Sequence, residues 1–369
     1  MDDNDDDDNC IMPASIKPKY TQLKMHIVKG EHLPKLDVKL IGAGSMDAFI
    51  TAKIGGKLIK TAIKVTEKDE AVWNQTFLIP VRMPIMAGKL ILNVMDLDTV
   101  KDEQAGALIF DFHDLLQREQ KSFFWANIYG APGQEEVKVF DGSSDVADEM
   151  NKDPLKATKW KGRILIGIEH FEEESPKLGV EFMSTMPPQD SEGNEIEGER
   201  SIVDISKDFM NPVKYKLMYE FNSCLNTPEH NGKYNMQLAI GENTWTSLND
   251  EKSRAVGFNY NGWNQRSEEI EFEVPYGEVK DMDDIFLYLA PDKGGLGGIF
   301  GGGKGDKKVG KVISYMKLRA ADYMDPNPAL QWVELLEETV EDALDSPEKA
   351  GVVGFRLSIV RADSGIELK

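Results

Sequence analysis

Acidic residues cluster at the ends of two short strand-like runs. Asp37 and Asp47 lie between KYTQLKMHIV and FITAKI, and Asp96, Asp98 and Glu103 follow KLILNV, with Asp102 beside them. Carboxylates held together at strand ends repel one another unless a cation sits between them. Hard divalent cations, Ca²⁺ above all, favour such oxygen clusters. The chemistry these residue types could do is cation capture, which would make the chain a calcium-controlled binding module.

The elements that must position these acids read as strands. From Tyr20 onward the pattern is short and alternating, bounded by turn residues, with few helical stretches. Gly55-Gly56 between FITAKI and KLIKTAIK predicts a two-residue hairpin. TFLIPV, KLILNV, SFFWANIY and GRILIGIEHF complete a first block, with a polar insert at roughly 131–158. Residues 1–18 are an acidic tail of disordered composition, and residues 173–212 read as a linker.

The same order then returns. KYKLMYEF answers KYTQLKMHIV, KYNMQLAIGE answers AFITAKIGG, EEIEFEVPYG answers QTFLIPV, and DIFLYLAPD answers LILNVMDLD. KKVGKVISYMKL, NPALQWVELLE and AGVVGFRLSIV match the remaining pieces in position. The economical reading is an all-β chain, two eight-stranded antiparallel sandwiches joined by a linker. The expected domains are residues 19–172 and residues 213–361.

Composition removes several classes of function. A formal net charge of −21 opposes nucleic-acid binding in general. It also opposes an anionic membrane, unless bound cations or a local basic patch reverse the field. No apolar run approaches the ~18 residues of a spanning helix. MDDNDDDDNC lacks the order of a secretory signal, and two cysteines, Cys10 and Cys224, make no disulfide framework. A reducing, cytoplasmic setting is expected. Gly298 to Lys304 fits the first part of a phosphate-binding loop, but Gly305 stands where Ser or Thr would hold Mg²⁺, and a strand follows instead of a helix. Nucleotide binding is therefore not expected. The five histidines are scattered, no nucleophile motif occurs, and no enzyme activity is expected.

HLPKLD (32–37), SMDAFI (45–50), VWNQTFLIPV (72–81) and ILNVMDLD…EQAG (91–106) together resemble the C2 domain family of calcium- and phospholipid-binding β-sandwiches. WNQTFLIP with RMPIMAGKLIL, then NIYGAPGQ, then WKGRILIGIE after an insert, narrow the resemblance to ferlins, the multi-C2 membrane-fusion proteins. The second block, with YKLMYEF, NMQLAIGENTWTS and FEVPYG, is similar to a C2-like domain specific to ferlins. The resemblance implies Ca²⁺ ligands on two loops: Asp37 and Asp47 on the first, and Asp96, Asp98 and one of Asp102 or Glu103 on the other. The chain departs from the family in three places: VKLIGAGSM is a long stretch between Asp37 and Asp47, Ala48 replaces the usual proline, and the second loop is about one residue short.

Leu40, Ile41 and Met46 lie near the tip of the first loop. Either they insert into a bilayer or they cap the sandwich end against neighbouring loops. Lys53, Lys57, Lys60 and Lys64 resemble the lysine-rich face with which some C2 domains bind phosphoinositide head groups. The other reading is a set of solvated lysines that discourage edge-to-edge pairing. The second block has lost the acids: by sequence alignment Ala290 stands in place of Asp96, Asp292 answers Asp98, and Lys233 lies near the place of Asp47. Its glycine-rich loop offers Leu296, Ile299 and Phe300 to a membrane or to a protein partner.

These readings converge on a non-enzymatic, cytoplasmic, peripheral-membrane protein that docks on anionic phospholipid when Ca²⁺ rises, in vesicle traffic or fusion. Ca²⁺ would bind in the first domain only, and protein partners would meet the second. The alternative is a calcium-independent structural subunit of a cytoskeletal or ciliary scaffold.

Overall fold

Alternation of apolar and polar residues dictates long ladders here, because each strand must bury one face. The computed structural model describes residues 19–34, 36, 45–54, 57–85, 88–98, 101–117, 122–131, 144–173, 181–183, 211–227, 234–246, 254–255, 260–276, 279–291, 314–337 and 349–368. Its first strands are β1 (Lys19–Glu31), β2 (Asp47–Ile54), β3 (Lys57–Lys60), β4 (Lys64–Val65) and β5 (Ala71–Met83). Then come β6 (Lys89–Asp96), β7 (Glu103–Asp111), β8 (Ser122–Gly130), β9 (Lys159–Glu173) and β10 (Glu181–Met183). Two short helices, α1 (Phe112–Gln117) and α2 (Ser144–Lys152), fall between them.

The strand order is β10-β5-β1-β9-β8-β7-β6-β2-β3, with β4 against β2. β7 meets β8 through the Ala107–Tyr129 pair. There the sheet curls, and the layer β5-β1-β9-β8 faces the layer β3-β2-β6-β7. Gly106 permits this corner, since a Cβ on it would lie 2.7 Å from the Tyr129 carbonyl oxygen. One core fills the space between the layers. Leu23, Met25, Ile27, Ile164, Ile166 and Ile168 come from one side, and Ile50, Ala52, Ile54, Leu90, Leu92 and Val94 from the other. Each of the larger side chains contributes about 1.5–3 kcal/mol by leaving water. The Trp73 indole N–H crosses between layers and donates to the Ala48 carbonyl at 3.3 Å.

The second half repeats this plan. Its strands are β11 (Val213–Leu225), β12 (Tyr234–Ile240), β13 (Asn243–Thr246), β14 (Arg254–Ala255), β15 (Tyr260–Arg266) and β16 (Ile270–Val274). They continue with β17 (Ile285–Pro291), β18 (Ser314–Leu318), β19 (Gln331–Glu337) and β20 (Lys349–Arg361). The order β14-β15-β11-β20-β19-β18-β17-β12-β13 is that of the first half, position for position. Hairpin register agrees too: Ile54 pairs with Lys57 and Ile240 with Asn243, each across two residues. Gly241 takes φ +55, and a Cβ there would strike the buried Asp283 carboxylate. The Trp263 indole donates to the Tyr234 carbonyl at 3.0 Å, repeating the Trp73–Ala48 bond.

The chain divides into two compact units. One is Met1–Gly130 with Asn151–Leu155 and Lys161–Asn211; the other is Ala131–Met150 with Lys156–Trp160 and Pro212–Lys369. Three details differ from the reading of the sequence. β10 lies inside the segment read as linker and extends β5, pairing Glu181–Met183 with Leu78–Thr76. The position of β5 is split in the second half, where β15 and β16 both pair with β11. The polar insert after β8 contains helix α2.

Candidate cation and lipid site

The acids of the first half are placed by strand register. β2 pairs with β6 so that Ala48 faces Asp96, and β6 pairs with β7 so that Asp96 faces Glu103. Along β6, Leu90, Leu92 and Val94 point into the core, and Asp96 is the next residue of that inward row. An ionised carboxylate so placed is costly unless hydrogen bonds hold it. Asp96 is 1% exposed, and its Oδ1 accepts the Asp47 backbone N–H at 2.7 Å. The Leu97 N–H returns a bond to the Asp47 carbonyl at 3.1 Å. On the other side, Thr66 Oγ1 accepts the Met46 N–H at 2.9 Å, and the Thr66 N–H donates to the Met46 carbonyl at 2.8 Å. Asp47 is thus pinned between β4 and β6, and Asp98 leaves the end of β6 two residues on.

The structure therefore brings Asp47, Asp96, Asp98, Asp102 and Glu103 to one end of the β2-β6-β7 layer. Asp37, Leu40 and Ile41 lie outside the described residues. Among the described residues, no three His, Cys, Asp or Glu side chains stand close enough to hold a metal ion. As a test of fit, the second-loop acids offer hard oxygen donors at a strand end, with the inward one already ordered.

Met46 corrects one expectation. It is fully buried in the core of the first sandwich, so it packs the sandwich end and presents nothing to a bilayer. Its place follows from register, because Met46 continues the strand that carries Ala48 and Ile50 inward.

The four lysines divide by strand parity. Lys53 and Lys60 face outward from β2 and β3, where Lys53 pairs with Leu58 and with Ile91, and Lys60 pairs with Thr51. Lys57 and Lys64 occupy the opposite register, across from Ile54 and Ala48. The Lys60 ammonium lies over the Phe49 ring at 3.9 Å, a cation–π contact. Leu58 is 68% exposed between the outward lysines, and Ile91 is 37% exposed beside Lys53. Sequence reasoning missed this mixed basic and apolar strip. Its signal is present in KLIK, where a strand with Ile59 inward must turn Leu58 outward.

In the second half the strand position that answers Asp96 carries no acid. Counting from the two hairpins, Ala48 corresponds to Tyr234, and the pair Ala48–Asp96 to Tyr234–Pro291. Pro291, not Ala290, stands at the place of Asp96, one residue later than alignment of the two sequence blocks puts it. Asp292, Lys233, Leu296, Ile299 and Phe300 lie outside the described residues.

Fold and loop-end geometry together define a C2-type β-sandwich, present twice. Residues 21–127 match the family model described as C2 domain. Among curated proteins the chain is similar to myoferlin of Mus musculus, 25% identical over 206 residues, covering 47% of this chain and 10% of the relative. It is also similar to the multiple C2 domain and transmembrane region protein 8 of Arabidopsis thaliana, 35% identical over 97 residues, 26% of this chain and 9% of the relative. Among solved structures, the paired C2 domains of extended-synaptotagmin 2 align at 14% identity and a TM-score of 0.30, covering 95% of this chain and 94% of that one. The chain spans about a tenth of the length of the myoferlin it matches. The chain thus carries a C2 domain in its first half and is similar to a ferlin over about half its length. No helix among the described residues is long and apolar enough to cross a membrane.

Proposed function

We propose that this protein is a non-enzymatic, Ca²⁺-responsive module that docks on anionic phospholipid from the cytoplasmic side, in vesicle traffic or membrane fusion. The observation that carries the reading is Asp96, a nearly buried carboxylate at the inward end of β6, set by register between Ala48 and Glu103 and accepting the Asp47 N–H. Asp47, Asp96, Asp98 and one of Asp102 or Glu103 would hold the cation, with Asp37 contributing from the first loop. Bound Ca²⁺ supplies positive charge at this tip and open coordination positions for lipid phosphate oxygens. Lys53 and Lys60, with Leu58 between them, form a second contact on the adjoining sheet face, where basic heads meet phosphate and the leucine meets acyl chain. The match to the C2 domain model and the similarity to myoferlin support a membrane-associated role. The second sandwich acts as a constitutive contact surface.

Calorimetry tests this directly. The chain should bind Ca²⁺ at micromolar to sub-millimolar concentration, about the range of sensor and extracellular oxygen sites. The double change Asp96→Asn with Asp98→Asn should abolish the heat. If the altered chain binds as the parent does, the site is wrong.

A second reading rests on the same residue. The Asp47–Asp96 hydrogen bond gives Asp96 a purely structural task, closing the strand end. A calcium-independent scaffold subunit would need no more than that, and no heat on Ca²⁺ addition would favour it.

A further inference from the structure

The second sandwich carries a pocket that the acids and lysines of the first do not account for. Its floor is the outer face of the layer built by β15, β11 and β20. Glu220 on β11 faces Arg266 on β15 and Arg356 on β20, so the three side chains stand in one cross-strand row. Arg356 Nη1 donates to Glu220 Oε2 at 2.8 Å, which neutralises that carboxylate. Arg266 is different. Its Nε and Nη2 rest on Met218 Sδ, at 3.2 and 2.9 Å. A thioether is a weak acceptor, and a guanidinium has five donors to satisfy. Among the described residues, no oxygen meets the Arg266 guanidinium. The row is thus one positive charge in surplus, on a chain of net charge −21.

The wall is the segment Asp325-Pro326-Asn327-Pro328. Two prolines stiffen it, the Asn327 N–H donates to Asp325 Oδ1 at 2.9 Å, and Ser358 Oγ donates to the Asp325 carbonyl at 2.6 Å, tying the wall to β20. Floor and wall enclose about 360 Å³, lined by Met218, Glu220, Arg266, Asn327, Pro328 and Arg356. The Arg266 fork and the Asn327 amide at the mouth of an open pocket suit a tetrahedral oxyanion, which competes with Glu220 for the Arg356 fork. The volume accommodates one side chain carrying such an oxyanion. Further along β20, the Trp332 ring lies over Gly354, two residues from Arg356 on the same face, and Trp332 is 46% exposed. An aromatic platform beside an arginine pair fits a peptide that lies across the sheet.

We infer that this pocket binds a phosphorylated side chain of a partner protein, the phosphate held between Arg266 and Arg356 and the flanking peptide over Trp332. A peptide is favoured over a membrane because the pocket is a walled recess, which a single side chain can enter and a flat bilayer surface cannot. This concerns the second sandwich, so its failure would leave the Ca²⁺ reading of the first untouched.

The test uses the full chain labelled at methionine methyl groups, with the Met218 resonance assigned through Met218→Leu. The probes are a capped alanine-flanked phosphoserine peptide, its unphosphorylated twin, and vesicles containing phosphatidylinositol 4-phosphate. The phosphopeptide should move the Met218 resonance saturably and the twin should not. Arg266→Gln and Arg356→Gln should each weaken binding about tenfold or more, the loss of one charge-assisted contact, with the other methyl resonances unchanged. Arg266→Lys should weaken binding less than Arg266→Gln, since a charge remains without the fork. An unmoved Met218 resonance, unchanged binding in Arg266→Gln, or a response to vesicles alone would each overturn the inference.

Discussion

Replacing Asp96 separates its structural task from its proposed ligand task. Without Ca²⁺, Asp96→Ala removes the acceptor of the Asp47 N–H bond at 2.7 Å, in a site where Asp96 is 1% exposed. A hydrogen bond to a charged group contributes about 1.5–3 kcal/mol, and water cannot easily reach the orphaned N–H. Asp96→Asn keeps an acceptor oxygen of the same shape. It loses charge assistance but no longer places a carboxylate in the inward row, so its cost should stay within about 1 kcal/mol. The assay is amide hydrogen exchange of the whole chain, read on peptides covering β2 and β6. Asp96→Ala should speed exchange there by about 10- to 150-fold, the same energy expressed as an opening equilibrium, while Asp96→Asn should barely change it. Ca²⁺ should then slow exchange in the parent alone. Equal protection in the parent and in Asp96→Ala would refute the argument that this carboxylate closes the strand end.

Acid should weaken the first sandwich in two stages. Burial, with Lys24 nearby, outweighs Glu169 and pushes the His26 pKa down, while the Thr76 hydroxyl sits 2.8 Å from Nδ1. Unfolded chains then take up a proton that the folded state resists, so stability should begin to fall as pH drops below about 6.5. Glu169 is held down to about 2, first by His26 and then by Lys24, against burial. The Lys24 contact at 3.2 Å is the firmer of the two, since the His26 nitrogen stands at 3.6 Å. The stability from Glu169 is present above its unfolded pKa near 4.5 and is lost as pH falls from there toward 2. Thermal melts across pH should show both declines, and His26→Gln should flatten the first. Cys224 is buried and its thiol is pushed up to about 12, so in a Cys10→Ser chain it should react with a thiol reagent only on unfolding.

Much of the fold is legible because period-two burial writes itself into strands such as β6 and β16, and because the pattern occurs twice. What escapes is short or depends on pairing. β10 is three residues added to an edge, too brief for any alternation to register. β15 has a signal only in hindsight of the repeat: WNQ recurs, Trp73-Asn74-Gln75 in β5 and Trp263-Asn264-Gln265 in β15, and each indole bonds to the matching carbonyl at its counterpart of β2. The one-residue shift at Pro291 arises because β17 is buried on both faces at 285–290, so its apolar run carries no parity to align on β6. At the candidate site, the acids are visible as residue types, but the inward seat of Asp96 and the burial of Met46 depend on cross-strand register, which is a tertiary property. The row Arg266–Glu220–Arg356 is invisible for the same reason, its members being separated by 46 and 90 residues in sequence.

The most direct test of the central claim is co-sedimentation of the chain with liposomes containing phosphatidylserine, with Ca²⁺ and with a chelator. Ca²⁺ should cause strong pelleting, a chelator should abolish it, and the chain altered at Asp96 and Asp98 should not pellet. Pelleting that ignores the chelator, or none at any lipid composition, would contradict the claim.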